Sequence, residues 1–319
     1  MGRFAYRVYR RPFQRSLQTH HGRWDVREGL LVRLSVGDRQ GYGEIAPLPW
    51  FGGETQAQAI GLCRSLPPDL SLAQIHAIPD RYPACQFGLE SAWDRLHHPR
   101  PDSRPRASAH LLPTGAEALG AWSTPWHQGC RTFKWKIGAA PLAQELDLFE
   151  QLLAALPTEA TLRLDANGGL TQSDAQIWLD RCDRLGPQTA VIDCLEQPLP
   201  PEQFPQLLTL QQRYHTAIAL DESVATVAQL EHCLQHGWQG VVVIKGAIAG
   251  SPSRLRQVCQ RYQADVIWSS VFETAVARRY IFSHLIPTVP SSRPLGFGVA
   301  HWFADGLNSG DASQIWSRL

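Results

Sequence analysis

From residue 107 onward, short apolar segments alternate with segments of helical periodicity, and this alternation restricts the possible folds more than any other feature of the chain. Strands that alternate with helices build βαβ units and a parallel sheet. Eight strands with helices between them favour a closed barrel over an open doubly wound sheet. The predicted strands are ASAHLL, CRTFKWKI, TLRLDA, TAVIDCLEQ, TAIALDES, GVVVIKG, ADVIWSS and PLGFGV.

The first 100 residues follow a different pattern and predict a small α+β domain. Residues 4–9 and 30–36 have strand-like patterns, and residues 55–66 and 87–96 have helical ones. The polar, glycine-interrupted stretch 17–29 predicts a mobile loop. A stretch rich in Pro and Arg at 97–106 is typical of a domain boundary. We therefore predict a capping domain over residues 1–100, to which residues 302–319 can contribute, and a barrel over residues 101–319.

Six ionisable residues stand at the ends of predicted barrel strands, although buried parallel strands are normally apolar. They recur once per strand and helix, so a barrel would bring them all to its carboxyl-terminal mouth, where barrel enzymes hold their active sites. Packing explains such a series poorly, because a buried charge costs free energy unless it is paired. The six residues are Lys134, Lys136, Asp165, Glu196, Asp221 and Lys245.

The three carboxylates, Asp165, Glu196 and Asp221, lie on consecutive predicted strands. Convergent carboxylate oxygens without His or Cys nearby favour a hard cation such as Mg²⁺. The alternative is a network of lysine–carboxylate salt bridges across the mouth. That network would leave three negative charges crowded together, so a divalent cation explains the pattern better.

Lys134 and Lys136 are two residues apart on one predicted strand and therefore point to the same face. Adjacent ammonium groups disfavour each other's charge, so we expect one of these lysines to have a lowered pKa and to act as a base near neutral pH. Lys245 is predicted to lie across the barrel from them. A substrate between these lysines, with a metal beneath it, is arranged for removal of a proton next to a carboxylate.

Other residues carry weaker signals. Arg163 lies on the same strand face as Asp165 and would either contact a substrate or form a structural salt bridge. Asn167 and Glu222 flank predicted metal ligands and are candidates for orienting them. Trp50 and Phe51, in a Gly/Pro-rich loop of the capping domain, would either close over a substrate or pack the domain interface.

The series KWK, LDAN, EQP, LDES and VIKG resembles the muconate-lactonising branch of the enolase superfamily, and the resemblance extends along nearly the whole chain. Within that branch, REGLLVRL followed by GYGEIAPLPWFGGET is most similar to the o-succinylbenzoate synthases of menaquinone and phylloquinone biosynthesis. The resemblance implies an α/β fold: a (β/α)7β TIM-like barrel with an N-terminal α+β capping domain.

The resemblance also implies roles for the barrel-mouth residues. Asp165, Glu196 and Asp221 would bind Mg²⁺, for which Mn²⁺ can substitute. Lys136 would remove the α-proton, with Lys134 beside it tuning it and contacting the carboxylate, and Lys245 would steady the enolate. The implied reaction is the dehydration of 2-succinyl-6-hydroxy-2,4-cyclohexadiene-1-carboxylate to o-succinylbenzoate. N-succinylamino acid racemases and dipeptide epimerases share these residues, so racemisation or epimerisation stays open.

In the resembling family, the region of Ser269, Ser270 and Gly296 receives the succinyl carboxylate of the substrate. Hydroxyl and backbone N–H groups would make that contact. The final segment GFGVAHWF departs from the usual pattern of that family. The departure concerns carboxylate binding and leaves the predicted metal site untouched.

Composition excludes several other classes of protein. Thirty basic residues against 29 acidic ones give a net charge of +1, so we expect no nucleic acid partner. No uninterrupted apolar stretch approaches ~18 residues, and no apolar region follows the basic N-terminal segment, so neither a membrane span nor a secretory signal is predicted. Seven scattered cysteines without a C-x-x-C pair fit a reducing compartment. We expect a cytoplasmic protein that acts on a small-molecule carboxylate.

Overall fold

A computed structural model of the protein describes residues 1–19, 22–101 and 107–319. The strands in these ranges are β1 (Gly2–Thr19), β2 (Gly22–Val36), β3 (Arg39–Ile45), β4 (Asp69–Leu70), β5 (His110–Leu111), β6 (Thr132–Lys136), β7 (Thr161–Asp165), β8 (Val191–Glu196), β9 (Ile218–Leu220), β10 (Val241–Ile244) and β11 (Asp265–Trp268). The α-helices are α1 (Gln56–Ser65), α2 (Leu72–His76), α3 (Pro83–His97), α4 (Ala118–Ala121), α5 (Ser123–His127), α6 (Leu142–Ala155), α7 (Gln172–Asp183), α8 (Phe204–Arg213), α9 (Val227–Gln235), α10 (Pro252–Tyr262), α11 (Ala275–Tyr280) and α12 (Ala312–Arg318).

The N-terminal part forms an antiparallel sheet in the order β3-β2-β1-β4; in the chain, α1 lies between β3 and β4, and α2 and α3 follow β4. Strand β2 is buried on both faces in its middle. Leu30 and Val32 point into the main core, whereas Leu31 packs with Tyr42 and Trp316 on the other side. Strand side chains alternate between the two faces, so the pattern follows directly from the sequence.

The expectation of a loop over residues 17–29 is wrong for the part that the structure describes. Strands β1 and β2 pair through Leu17↔Trp24 and Thr19↔Gly22, so the hairpin extends almost to its tip; residues 20 and 21 lie outside the described part. Arg23 forms an ion pair with Asp25 at 2.8 Å. Polar residues are compatible with strands when they pair across the sheet or along its surface, and a reading based on apolar alternation misses such strands.

The second part is a curled parallel sheet in the order β11-β10-β9-β8-β7-β6-β5. Each predicted barrel strand except the last becomes one of these strands. The eighth is present as two parallel bridges, Ser108↔Leu295 and Ser269↔Gly296, which join the two edges of the sheet. The predicted (β/α)7β barrel with a capping domain is confirmed.

The capping sheet and the barrel share one continuous hydrophobic core, which includes Leu30, Phe87, Trp135 and Trp268. The C-terminal helix α12 returns to the capping sheet, where Arg7 donates a hydrogen bond to the carbonyl of Trp316 at 2.6 Å. Six of the seven cysteines are buried free thiols. No helix in the described part of the chain is both long and apolar enough to cross a membrane.

Candidate active site at the barrel mouth

The register of neighbouring strands brings the predicted charges to one end of the barrel. Lys136, Asp165 and Glu196 are paired laterally at the ends of β6, β7 and β8. Asp221 follows the end of β9 and Lys245 follows the end of β10. Three strands separate β6 from β10 in the sheet order, so Lys136 and Lys245 approach the mouth from different sides. The strand register therefore brings these residues to the same end of the barrel, as the sequence predicted.

The lysines contact the carboxylates directly. The Nζ of Lys134 lies 2.8 Å from Oδ2 of Asp165 and 2.6 Å from Oε1 of Glu196. The Nζ of Lys136 is 3.2 Å from the same Asp165 oxygen. Lys245 forms a buried ion pair with Asp221. The salt-bridge network that the sequence left as an alternative to a metal site is thus present in this structure.

These contacts perturb the ionisation of the cluster. Burial by itself would lower the pKa of Lys134, but Asp165 and Glu196 outweigh burial and raise that pKa above its usual range. Burial lowers the pKa of Lys245 to about 7, with Lys134 and Lys136 acting in the same direction and Glu196 and Asp165 opposing it. The expectation that crowding would lower a pKa within the lysine pair is therefore wrong for Lys134, because its carboxylate neighbours dominate. The lowered lysine pKa belongs to Lys245.

Asn167 connects Lys136 to a further carboxylate, that of Glu222. The side-chain oxygen of Asn167 accepts a hydrogen bond from Lys136, and its Nδ2 donates to Oε1 of Glu222 at 3.1 Å. Asn167 adopts a left-handed backbone conformation with φ of 44°, which Asn tolerates better than most residues. Burial, together with the charges of Asp165 and Glu196, raises the pKa of Glu222. These contacts place Asn167 and Glu222 beside the cluster; that the two residues orient the metal ligands stays a prediction.

The carboxylates at the mouth offer oxygen atoms of the kind that a divalent cation binds. Within the described residues, no three His, Cys, Asp or Glu side chains are grouped so that they could hold a metal ion as they stand. However, Oε2 of Glu196 is buried and has no hydrogen-bond partner in the described part of the chain. A buried carboxylate oxygen of this kind is costly unless something binds it. Three carboxylates on consecutive strands offer only oxygen donors, which fit Mg²⁺ in chemistry and charge.

The predicted substrate-binding loop after β11 is held by internal hydrogen bonds. The hydroxyl of Ser270 donates to Oε2 of Glu273 at 2.8 Å, and the N–H of Val271 donates to the same oxygen at 2.7 Å. The N–H groups of Ser269, Ser270 and Gly296 donate to backbone carbonyls of the neighbouring strands. Ser269 is half-buried, and its hydroxyl makes only a 3.5 Å contact with the carbonyl of Gly296. Of this set, the Ser269 hydroxyl is the donor least committed to the fold.

Arg163 forms an ion pair with Asp193, a carboxylate outside the cluster at the mouth. Its side chain is 1% exposed and binds Asp193 through Nε at 3.0 Å and Nη2 at 2.6 Å, and Nη2 also donates to the carbonyl of Pro294. Of the two roles left open by the sequence, these contacts favour the structural salt bridge.

Two cavities of about 170 and 370 Å³ lie at the amino-terminal ends of the barrel strands, and none of the predicted site residues lines them.

The capping domain places an aromatic ring on the cluster. Phe51 lies with its ring centroid 4.4 Å from the Nζ of Lys245, a cation–π distance. Trp50 packs instead on Trp24, with ring centroids 5.0 Å apart. The loop therefore contacts the cluster through Phe51, whereas Trp50 packs within the capping domain; the lid role of the loop stays a prediction.

The sequence analysis missed the acid that joins the two domains, Glu44. Its carboxylate accepts hydrogen bonds from the hydroxyl of Tyr9 at 2.6 Å and from the N–H groups of Thr274 and Ala277 at the start of α11. The available signal was its position as a single charge within the apolar stretch GYGEIAPLPW, since a charge in such a run is buried only when it is bonded.

Comparison with known proteins places the chain in a family. The model described as MenC, N-terminal domain, matches residues 3–96, and the model described as Enolase C-terminal domain-like matches residues 120–303. An o-succinylbenzoate synthase from Thermosynechococcus vestitus is 41% identical over 322 residues, covering 99% of each chain. Another from Edwardsiella ictaluri is 32% identical and covers 84% of this chain and 80% of its own.

Solved structures agree. The crystal structure of the o-succinylbenzoate synthase from Thermosynechococcus elongatus BP-1, complexed with Mg in its active site, matches with a TM-score of 0.92 at 40% identity and covers 99% of this chain and 100% of its own. The L-Ala-D/L-Glu epimerase of Bacillus subtilis matches with a TM-score of 0.76 at 19% identity, covering 95% of this chain and 90% of its own, and shares the fold. On these matches and on the barrel-mouth residues described above, the chain belongs to the o-succinylbenzoate synthase family of the enolase superfamily.

Proposed function

We propose that this chain is a Mg²⁺-dependent lyase that dehydrates 2-succinyl-6-hydroxy-2,4-cyclohexadiene-1-carboxylate to o-succinylbenzoate. The observation that carries the proposal is the likeness to an o-succinylbenzoate synthase over 99% of the chain, capping domain included. The barrel mouth adds the chemistry that such a reaction needs, namely lysines beside a carboxylate cluster.

Asp165, Glu196 and Asp221 would hold the Mg²⁺. When bound, the cation supplies electrostatic stabilisation of negative charge that develops on the substrate carboxylate. Glu222 and Asn167 would act from behind these ligands, since Asn167 bonds both Lys136 and Glu222. The Glu196 oxygen that lacks a hydrogen-bond partner supports this assignment.

Lys136 would act as the base and then as the acid. Its neutral amine takes the proton on the carbon next to the carboxylate, and the electron pair of that C–H bond becomes the enolate. The enolate then forms the new ring double bond as the C–O bond to the hydroxyl breaks, and the Lys136 ammonium returns its proton to that hydroxyl, which leaves as water. Lys136 ends neutral, as it began. One group serving both steps from one face gives a syn elimination.

The other lysines would serve as charges. Lys134 keeps its proton, because Asp165 and Glu196 raise its pKa, and so suits contact with a substrate carboxylate. Lys245, on the other side of the mouth, would steady the enolate. For the succinyl carboxylate we propose the Ser269 hydroxyl as donor, with Ser270 and Gly296 shaping the site around it.

A second candidate function is racemisation of an N-succinylamino acid or epimerisation of a dipeptide. The observation that favours it is the position of Lys245 across the mouth from Lys136, where burial also lowers the pKa of Lys245. Two lysines on different sides can remove a proton from one face of a substrate carbon and return one to the other face. The same residues therefore support either reaction.

Two incubations with Mg²⁺ distinguish these functions. In the first, the purified protein receives the cyclohexadiene substrate, and formation of the aromatic product is followed by absorbance. In the second, it receives an N-succinylamino acid in deuterated water, and exchange at the α-carbon is followed by NMR. We expect rapid aromatisation that stops when the metal is chelated. Exchange at the α-carbon without any aromatic product would overturn the synthase proposal.

We further propose that residues 1–100 act as a capping domain over a barrel of residues 101–319, and that the protein is cytoplasmic. Contacts of α12 with the capping sheet support a contribution of residues 302–319 to the cap. The free thiols support a reducing compartment.

A further inference from the structure

Arg27 is a buried cation whose contacts are not explained by the proposed chemistry. It lies in β2 with 1% of its surface exposed. In the described part of the chain, all of its hydrogen bonds go to backbone carbonyls, none to a carboxylate. Burying a guanidinium without an acid partner is costly. Such an arrangement calls for a reason beyond packing.

Three of the four carbonyls that Arg27 binds belong to two segments that reach the barrel mouth; the fourth is that of Glu28, its neighbour in β2. Nη2 donates to Ala46 at 2.6 Å and Nη1 to Pro47 at 2.8 Å. Nε donates to the carbonyl of Val271, in the barrel, at 2.9 Å. A planar guanidinium with its donors in a fixed fork sets the spacing of such acceptors more strictly than a flexible ammonium can. One side chain thus spans the interface between the domains.

Each bound segment lies beside residues of the candidate site: Phe51 on the capping side, and Ser269 and Ser270 on the barrel side. The capping segment continues into the 3₁₀ turn Pro49–Phe51, and the ring of Phe51 lies 4.4 Å from the Nζ of Lys245. The barrel segment directly follows Ser269 and Ser270. Its next residue, Phe272, has a left-handed backbone with φ of 63°, a conformation that persists in a bulky residue only when its surroundings enforce it.

Aromatic packing joins the same two segments at a second point. Trp24 of β2 lies edge-on to both Trp50 and Phe272, with centroid distances of 5.0 and 5.4 Å. The Arg27 guanidinium lies 5.8 Å from the Trp24 ring. The hydrogen bonds of Arg27 and the packing of Trp24 therefore act on the same pair of segments.

We propose that Arg27 is a positioning residue of the active site: its guanidinium fixes the capping segment 46–51 relative to the barrel loop 269–272, and so sets how Phe51 and Ser269 enclose the substrate. The kinetic part of this proposal rests on the proposed synthase function; the structural part does not. A residue that only held the domains together would affect stability without changing how the folded enzyme binds its substrate.

The test compares Arg27→Lys with wild type and with a matched control, Arg256→Lys. Arg256, in α10 of the barrel, also contacts the capping domain, through Asp94 of α3 at 3.4 Å, and it contacts the Tyr280 hydroxyl of α11 at the same distance. Arg27→Gln is the second variant, because it needs no buried ammonium group if the lysine variant fails to fold. Two readouts are taken: kcat and KM for the cyclohexadiene substrate, and backbone deuterium exchange by mass spectrometry.

We expect kcat/KM of the Arg27 variants to fall roughly 10- to 100-fold, mainly through KM, since small misplacements of binding groups have effects of this size. Deuterium exchange should rise together in peptides covering 46–53 and 269–275. Arg256→Lys should leave both readouts near wild type. Wild-type kinetics in a folded Arg27 variant, or exchange that rises evenly throughout the chain, would overturn the proposal. If wild type itself forms no aromatic product, the synthase proposal fails, and the exchange data alone decide whether Arg27 couples the segments.

Discussion

The two ends of the barrel both contain buried ion pairs, yet they are built on different principles. At the amino-terminal end, Arg163, Asp193, Arg293 and Asp265 form a chain of alternating charge in which each acid lies between or beside arginines. At the mouth, three lysines contact three carboxylates, while a Glu196 oxygen stays without a hydrogen-bond partner in the described part of the chain.

The difference shows in the ionisation of the two clusters. At the amino-terminal end, neighbouring acids raise the pKa of Arg293 although burial would lower it, and the pKa of Arg163 is raised in the same way, so both guanidinium groups keep their charge. At the mouth, the pKa of Lys245 falls to about 7 and that of Glu222 rises. Paired opposite charges keep both partners ionised and serve the fold, whereas buried groups whose pKa is shifted toward the uncharged form are typical of catalytic sites. Buried charge alone therefore does not identify an active site.

The largest expected effect that separates the two ends comes from Lys136→Ala. Without its general base and acid, we expect kcat to fall by about 10²- to 10⁴-fold, the usual contribution of such a group. The Lys136 side chain is 38% exposed, so the free energy of unfolding should change little. Steady-state kinetics and urea unfolding measure the two quantities. A variant that keeps its activity and loses only stability would make the mouth a structural cluster like the other end.

Asp193→Asn should do the reverse. It leaves the buried Arg163 without its charged partner and takes one of two acids from the half-buried Arg293, and removing the partner of a buried charge costs about 3–5 kcal/mol. The midpoint of urea unfolding should fall accordingly, whereas kcat/KM of the folded enzyme should stay within about threefold of wild type. A large rise in KM without loss of stability would instead give Arg163 a role in substrate binding.

Binding of Mg²⁺ at the barrel mouth, and not elsewhere, should stabilise the folded protein. At a Mg²⁺ concentration of about 100 times Kd, linkage adds ~2.7 kcal/mol to the free energy of unfolding. We expect this gain in wild type and in Asp193→Asn, and not in Asp221→Asn, which should remain folded but inactive. The measurement is the unfolding midpoint with and without Mg²⁺. An undiminished gain in Asp221→Asn would exclude Asp221 as a ligand.

The sequence was sufficient to predict which residues lie at the mouth, because the register of neighbouring strands determines their positions. Lys136, Asp165 and Glu196 each end a strand, and parallel strands in a closed barrel end at the same edge. Their convergence therefore needs no knowledge of side-chain packing.

The contacts between the domains could not be predicted in this way. Arg27 binds a carbonyl 244 residues further along the chain, and Glu44 binds the N–H of Thr274, 230 residues later, at the N-cap of α11. No local period encodes such pairs. For the same reason the sequence could not decide the role of Arg163, because its partner, Asp193, is a side chain of the next strand.

The smallest expected effect concerns Glu273, beside the mouth. Burial raises its pKa above 4.5, against the hydrogen bonds from Ser270 and Val271. The folded protein therefore binds more protons than the unfolded chain between pH 4.5 and the raised pKa, and ionisation of Glu273 lowers stability as pH rises through that interval. Glu273→Gln, which cannot ionise, should gain stability relative to wild type over the same interval. Urea unfolding between pH 4.5 and 7 measures the difference.

Asp183, at the amino-terminal end, provides the matched control for Glu273. Hydrogen bonds from the Thr216 side chain and from the N–H groups of His215 and Thr216 lower its pKa despite partial burial. Its contribution is complete above pH 3.8 and is lost only as pH falls through the lowered pKa. Asp183→Asn should therefore run parallel to wild type between pH 4.5 and 7, whereas Glu273→Gln should diverge. Parallel curves for both variants would mean that Glu273 is as well compensated as the charges at the far end, and that the contrast between the two ends does not extend to the loop after β11.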